Sequence, residues 1–292
     1  KLAGRGGELD LVAEYGFPED RLHALDRATR LAIAAGIDAL RDAGIPLVRR
    51  YKTTSTGSRL PAGWALPEEM RDDTAIVFGS AWPGYDWLIR IVEGYWEDKN
   101  RRDRLAELKG ARPHVSGPAA AEMDARIAAL EGELAANPYH FDRRFLFQVL
   151  NMGHAQFAEY IGARGPNYGT NGACATATQA VGLAQDLIRE GRARRVIVIT
   201  GDDPNTDAMF RWFSAGFLAS GTAATDARVE DAALPFDRRR HGLIVGMGGA
   251  ALVMESLDAA AERGVSPICE VMGTVVANSA FHGSRLDVEH IV

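Results

Sequence analysis

Apolar positions recur at helical spacing over 20–43. Leu22, Leu25, Ala28, Leu31, Ala32, Ala35 and Leu40 share a face, and Gly44 with Pro46 closes the run, which predicts a helix. The polar stretch from Tyr51 to Met70 has no such period and reads as loop. "TAIVFGSA" (74–81) is a short apolar run with β-branched residues and a glycine stop, and it predicts a buried strand. Residues 97–136 are charged and alanine-rich, broken at Pro113 and at the Gly117-Pro118 pair. They read as helices of a surface insertion or lid, either simply solvated or used to dock a partner.

From 141 the pattern is again that of a core. "FLFQVLNMGHAQFAEYIG" predicts one helix with a wide apolar face, ended by Gly162. The loop "ARGPNYGTNGA", a helix from Cys174 to Glu190 and the strand "RVIVITG" (195–201) follow. Residues 242–256 and 267–278 read as two more strands with a helix at 257–263 between them, which places Cys269 in the core as an inert thiol. Alternating strands and helices predict an α/β, layered fold.

Composition narrows the function classes. A chain of 292 residues, 47% hydrophobic and 25% charged with 31 glycines, fits an α/β enzyme with an ample core. Its formal charge of −6, from 33 basic and 39 acidic side chains, supplies no global basic field for nucleic acid. No apolar run approaches the roughly 20 residues of a membrane helix. The charged N-terminal stretch lacks the apolar region of a secretory signal. Two cysteines far apart do not form a disulfide framework, so a cytoplasmic, reducing setting with free thiols is expected. The start without methionine and the end at "FHGSRLDVEHIV", where a helix begins, suggest a module of something larger.

Cys174 is the main candidate for chemistry. Val181, Ala184, Leu187 and Ile188 repeat at helical spacing and Gly191 supplies the stop, so Cys174 is expected at or near the first turn of a helix. Unpaired N–H groups and the macrodipole there favour an anion, and they can bring a thiol down from its ordinary pKa of about 8.5. Gly169, Gly172 and Ala173 leave room for a substrate to reach the sulfur. A thiolate on a strand-to-helix turn has the geometry of an activated nucleophile. A lone cysteine before a helix is also compatible with a structural role.

The neighbours in order carry a resemblance. "NMGHAQFAEYIGARGPNYGTNGACATATQAVGLA", "RRVIVITGDD", "FSAGFLASG" and "LPFDRRRHGLIVGMGGAALVMES" resemble the β-ketoacyl synthases, the decarboxylating condensing enzymes of fatty-acid and polyketide assembly. The specific combination is Gly165-Pro166 ahead of Ala173-Cys174-Ala175, with a later Pro-Phe-Asp and a glycine-rich turn. The resemblance covers 74–82 and 145–292 well and the remainder poorly. It implies a thiolase-like layered α/β/α/β/α fold. Residues 1–256 would be its first half with the 97–136 insertion, and 257–292 a linker and the start of the second half.

The resemblance also implies roles. Cys174 matches the acyl-accepting nucleophile, and its backbone N–H one oxyanion donor. Substrates would be phosphopantetheine-linked acyl and malonyl groups, with no tightly bound cofactor or metal. An acyl carrier protein and a second copy of the chain would be the partners. Phe210, Trp212 and Phe213 fall where the family lines its acyl pocket, a position that core packing explains equally well.

The two histidines and the lysine that complete the family's site have no matching motif here, so condensation is not expected of this stretch alone. His282 and His290 receive no role, and His140 and His154 read as packing or surface. Arg143, Arg192, Arg194, Arg195, Arg238, Arg239 and Arg240 are candidates for meeting an acidic carrier protein or a pantetheine phosphate, or are solvated singly. "GMGG" (246–249) reads as a tight turn rather than a dinucleotide loop. Met247 stands where many relatives carry glutamate, which bears on the subgroup. The insertion and the "FDRRRHG" variant favour a multidomain synthase. The rival readings are a thiolase-fold acyltransferase or coenzyme-A-dependent synthase, and a non-catalytic chain-length-factor-like subunit, against which Cys174 speaks.

Overall fold

The computed structural model describes residues 3–4, 6–278, 280 and 287–291. In chain order, β1 (Ala3–Gly4), α1 (Leu11–Tyr15) and α2 (Glu19–Leu22) precede the long helix α3 (Arg27–Asp42). Then come β2 (Val48–Thr53), β3 (Arg59–Ala65) and β4 (Thr74–Gly79). The helices α4 (Tyr85–Ala111), α5 (Pro118–Ala136), α6 (Phe145–Val149) and α7 (Gly153–Ile161) fill the middle. β5 (Asn167–Thr170), α8 (Thr176–Arg189), β6 (Arg195–Asp202) and α9 (Asp207–Ala219) follow. β7 (Val245–Gly246), β8 (Gly248–Glu255), α10 (Leu257–Glu262) and α11 (Val288–Ile291) complete the order. No helix among the described residues is long and apolar enough to cross a membrane.

The chain divides into two compact units. One comprises Arg5–Pro83, Asn151–Asp203 and Met247–Val292; the other comprises Lys1–Gly4, Gly84–Leu150 and Pro204–Gly246. This division by contacts is of another kind from the sequence boundary expected at 257.

The first unit is built on a four-stranded sheet in the order β5-β4-β6-β8. β4 runs parallel to β5 and β6, and β8 closes the far side antiparallel to β6. β4 is buried along its whole length because helices cover both faces, as the continuous apolar run of a central parallel strand requires. Alternate residues go to opposite layers. Ile76, Phe78, Ile197 and Ile199 pack with Ile33, Ile37 and Leu40 of α3 and Phe157 and Ile161 of α7. Ala75, Val77, Val196 and Val198 pack with Ala180, Ala184 and Leu187 of α8. The approach of α3 to the sheet is close: a Cβ on Gly36 would lie 2.6 Å from Phe157 and 2.7 Å from Ile199.

In the second unit α4 and α5 run antiparallel, joined by Arg101–Glu133, Lys109–Glu131 and Arg112–Asp124 ion pairs. The expected insertion is thus helical, with its turn at 112–114 and Pro118 opening α5, but its first helix starts earlier, at Tyr85. Apolar Leu88, Ile89 and Ile91 disguise that start as a continuation of the core.

Several expectations need correction. The helix expected over 20–43 is two helices, because Asp26 is the N-cap of α3 and accepts from the Thr29 amide at 2.8 Å. The expected loop 51–70 contains part of the antiparallel β2–β3 hairpin. β2 is mostly solvent-exposed, and Arg59 lies over the Tyr51 ring and Arg49 over that of Trp64. The helix expected over 145–162 breaks at Leu150–Met152 into α6 and α7, where the chain passes from one unit to the other. Residues 267–278 form no strand. They run beside α8, where Gln185 Nε2 donates to the Val271 carbonyl at 2.8 Å and Arg189 to that of Met272 at 3.1 Å. Cys269 is therefore exposed and not a core thiol.

Candidate active site

Cys174 lies where the sheet hands over to a helix. β5 ends at Thr170, and Asn171 and Gly172 make the connection. A 3-10 turn spans Ala173–Ala175, and α8 begins at Thr176. The thiol is thus near the start of the helix, as the spacing suggested, in the tighter turn that feeds α8. Thr176 shapes that turn. Its hydroxyl donates to the Ala173 carbonyl at 2.6 Å and accepts from the Gly172 amide at 2.9 Å, which closes the turn ahead of the helix. α8 has no side-chain cap.

The residue before the thiol is in an unusual conformation. Ala173 has φ 50, the left-handed region, at a cost of roughly 1–2 kcal/mol for a residue with a Cβ. Asn171 supports it from two sides. Its Oδ1 accepts from the Ala173 amide at 3.1 Å and its Nδ2 donates to the Ala81 carbonyl at 2.9 Å. Cys174 is free and exposed on this turn. Its amide has no acceptor among the described residues.

Behind Asn171 stands Asp202 at the end of β6. Its carboxylate accepts from Ser80 Oγ at 2.7 Å, from the Trp82 amide at 3.0 Å and from the Ala81 amide at 3.0 Å. Neither Asn171 nor Asp202 was assigned a role from sequence. The signal available was an acidic pair, Asp202-Asp203, at the end of a buried strand. Asp203 itself is buried and pairs with Arg27 Nε at 2.8 Å.

Other candidates fall elsewhere. Phe210 and Phe213 are on α9 in the second unit, one turn apart, and Phe213 stacks on Tyr85 with ring centroids 5.9 Å apart. Trp212 is exposed, and its Nε1 donates to Glu93 at 3.4 Å. Cys174 belongs to the first unit, so the two groups sit on separately built parts of the chain.

His154 faces the β5 backbone. A Cβ on Gly169 would lie 3.1 Å from its Nδ1, and burial holds its pKa below the ordinary value. Of packing and surface, the two roles expected, this placement favours packing. His290 is exposed, and His282 lies outside the described residues.

Several of the arginines have partners of their own. Arg195 is buried, with Nη2 2.7 Å from Glu255, whose carboxylate also pairs with Arg263 at 2.8 Å. Arg194 pairs with Glu262, Arg192 donates to the Tyr168 hydroxyl, and Arg239 pairs with Asp237. Arg195 is removed from the docking candidates. "GMGG" is not a turn: Gly246 ends β7 and Gly248 opens β8. Gly249 is required because a Cβ there would lie 2.8 Å from the Leu31 carbonyl oxygen of α3.

Residues 99–260 match the family described as β-ketoacyl synthase, N-terminal domain. Over 134 residues the chain is 35% identical to 3-oxoacyl-[acyl-carrier-protein] synthase 2 of Staphylococcus aureus, covering 46% of this chain and 32% of that protein. It is 36% identical over 282 residues to a putative polyketide beta-ketoacyl synthase 1 of Streptomyces halstedii, covering 94% of this chain and 53% of that one. A β-ketoacyl synthase crystal structure from Burkholderia phymatum matches with a TM-score of 0.54 at 17% identity, over 91% of this chain and 51% of the other, a likeness of fold. The chain thus spans 32% to 53% of the length of these curated relatives. A match over more than half of its residues, together with the shared fold, places the chain in the β-ketoacyl synthase family, with the thiolase-like α/β fold of that family's N-terminal domain.

Proposed function

We propose that this chain is the nucleophile-bearing part of a β-ketoacyl synthase, with Cys174 as the acyl-accepting residue. The observation that carries the reading is the free, exposed Cys174 on a strand–turn–helix junction in a chain of this family. The thiolate attacks the carbonyl carbon of a phosphopantetheine thioester. A new carbon–sulfur bond forms, and the pantetheine sulfur leaves with the electron pair and takes a proton from solvent. Exchange of one thioester for another is nearly isoenergetic, so the acyl group can be loaded and later released. The Cys174 amide, without an acceptor of its own, is suited to donate to the developing oxyanion.

In the second half of the reaction a malonyl-type extender on an acyl carrier protein loses CO₂. The enolate attacks the acyl-cysteine carbonyl and the thiolate departs. The two histidines and the lysine that promote this step in the family would come from sequence other than the described residues. Residues 257–292 would begin the part of the fold that supplies them. The protein would pair with a second copy, and the setting would be cytoplasmic. The test is intact-mass spectrometry after incubation with acyl-pantetheine thioesters. One acyl adduct is expected, absent in Cys174→Ala. No adduct on the unsubstituted chain with any thioester from acetyl to decanoyl would overturn the reading.

A further inference from the structure

Four structural features meet at the turn before the thiol. Ala173 is left-handed although it carries a Cβ. The side chain that bonds its amide, Asn171, also bonds the Ala81 carbonyl, so it links the cysteine turn to the segment after β4. That segment is itself fixed, since the Asp202 carboxylate collects the Ser80 hydroxyl and the amides of Ala81 and Trp82. Asp202 stands at the end of β6, whose pairing with β4 and β8 holds it rigidly.

We propose that Asn171 and Asp202 are positioning residues for Cys174: Asp202 anchors the 80–82 segment, and Asn171, braced on it, holds Ala173 left-handed so that the thiol and its amide present to the thioester. The inference rests on Cys174 being the acyl acceptor. Neither side chain need touch the substrate. Without Asn171, Ala173 relaxes out of the left-handed region, and Cys174 samples orientations in which sulfur and amide no longer address the same carbonyl.

This role makes a specific demand. If Asn171 acts by holding Ala173 left-handed, a residue that adopts that conformation without penalty should make Asn171 less necessary. Glycine is such a residue. The acylation rate of Cys174 by acyl-pantetheine thioesters would be measured for the unsubstituted chain, for Asn171→Ala, and for Asn171→Ala combined with Ala173→Gly. Asn171→Ala is expected to slow acylation about tenfold, the size set by the left-handed penalty. Adding Ala173→Gly should recover most of that loss, whereas a general loss of stability would not be repaired by a more flexible residue.

Asp202→Ala should also slow acylation, and Asp202→Asn, which keeps an acceptor oxygen, should slow it less. Alkylation by iodoacetamide, which needs only an accessible thiolate, should be nearly unchanged in all of them. Equal acylation rates in the unsubstituted chain and Asn171→Ala would overturn the positioning role. So would a loss that Ala173→Gly does not relieve. Absence of acylation in the unsubstituted chain would instead count against the Cys174 assignment, so the two failures are separable.

Discussion

β6 and the segment 267–278 are both apolar, β-branched runs, yet only one is a strand. β6 lies between β4 and β8, with each face covered, and Val196, Ile197, Val198 and Ile199 are buried. In 267–278, Ile268 and Val275 are each 93% exposed, and the backbone bonds to two side chains of α8 rather than to a neighbouring strand. Strand propensity describes a residue's fit to a pleated, half-buried surface, and the described residues offer no such surface to 267–278. A buried strand needs a partner edge as well as an apolar pattern.

The largest effect that would break this comparison is at the centre of β6. Ile197→Asp puts an unpaired carboxylate into the layer between the sheet and α3, and the chain is expected not to fold, as judged by loss of its cooperative thermal transition. A native-like transition would show that the layer is not the core.

Next comes the pairing of the start of β6 with the end of β8, where Glu255 bridges Arg195 and Arg263, and Arg263 also donates to the Ala43 carbonyl just after α3. Glu255→Ala leaves Arg195 buried with its main partner gone and should cost about 3–5 kcal/mol in urea unfolding.

A smaller, pH-dependent effect is expected at His154. Burial lowers its pKa, so the folded state binds its proton less readily than the unfolded chain. Its contribution is fully present above the unfolded value of about 6.5 and is lost as pH falls through that value towards the folded one. Urea midpoints at neutral and mildly acidic pH should therefore diverge more for the unsubstituted chain than for His154→Gln. The smallest effect is predicted for Val275→Asp in the exposed segment, within about 0.5 kcal/mol of the unsubstituted chain. A cost as large as that at Glu255 would mean that 267–278 is packed after all.

The same contrast explains what the sequence shows and what it hides. The buried layers were legible because β4 and β6 are short continuous apolar runs rich in β-branched residues and α8 carries a helical period. The β2–β3 hairpin was not, because β2 is exposed and largely polar and shows no alternating apolar pattern. At the candidate site, the thiol and its glycine-loosened approach were visible locally. The left-handed Ala173 and its support were not, because Asn171 reaches Ala81 and Asp202 reaches Ser80 across about 90 and 122 positions of chain. Such partners have no local period or motif. Cys269 was misplaced for the related reason that its burial depended on a strand partner the described residues lack.

The two cysteines turn this comparison into a direct test, since both are free and exposed and differ only in their settings. Peptide mapping after brief exposure to an acyl-pantetheine thioester would measure how the acyl group divides between them. Acylation confined to Cys174, with Cys269 unmodified and Cys269→Ala without effect, is the result predicted. Equal labelling of both thiols, or labelling of Cys269 in preference, would contradict the assignment of Cys174 as the acyl acceptor.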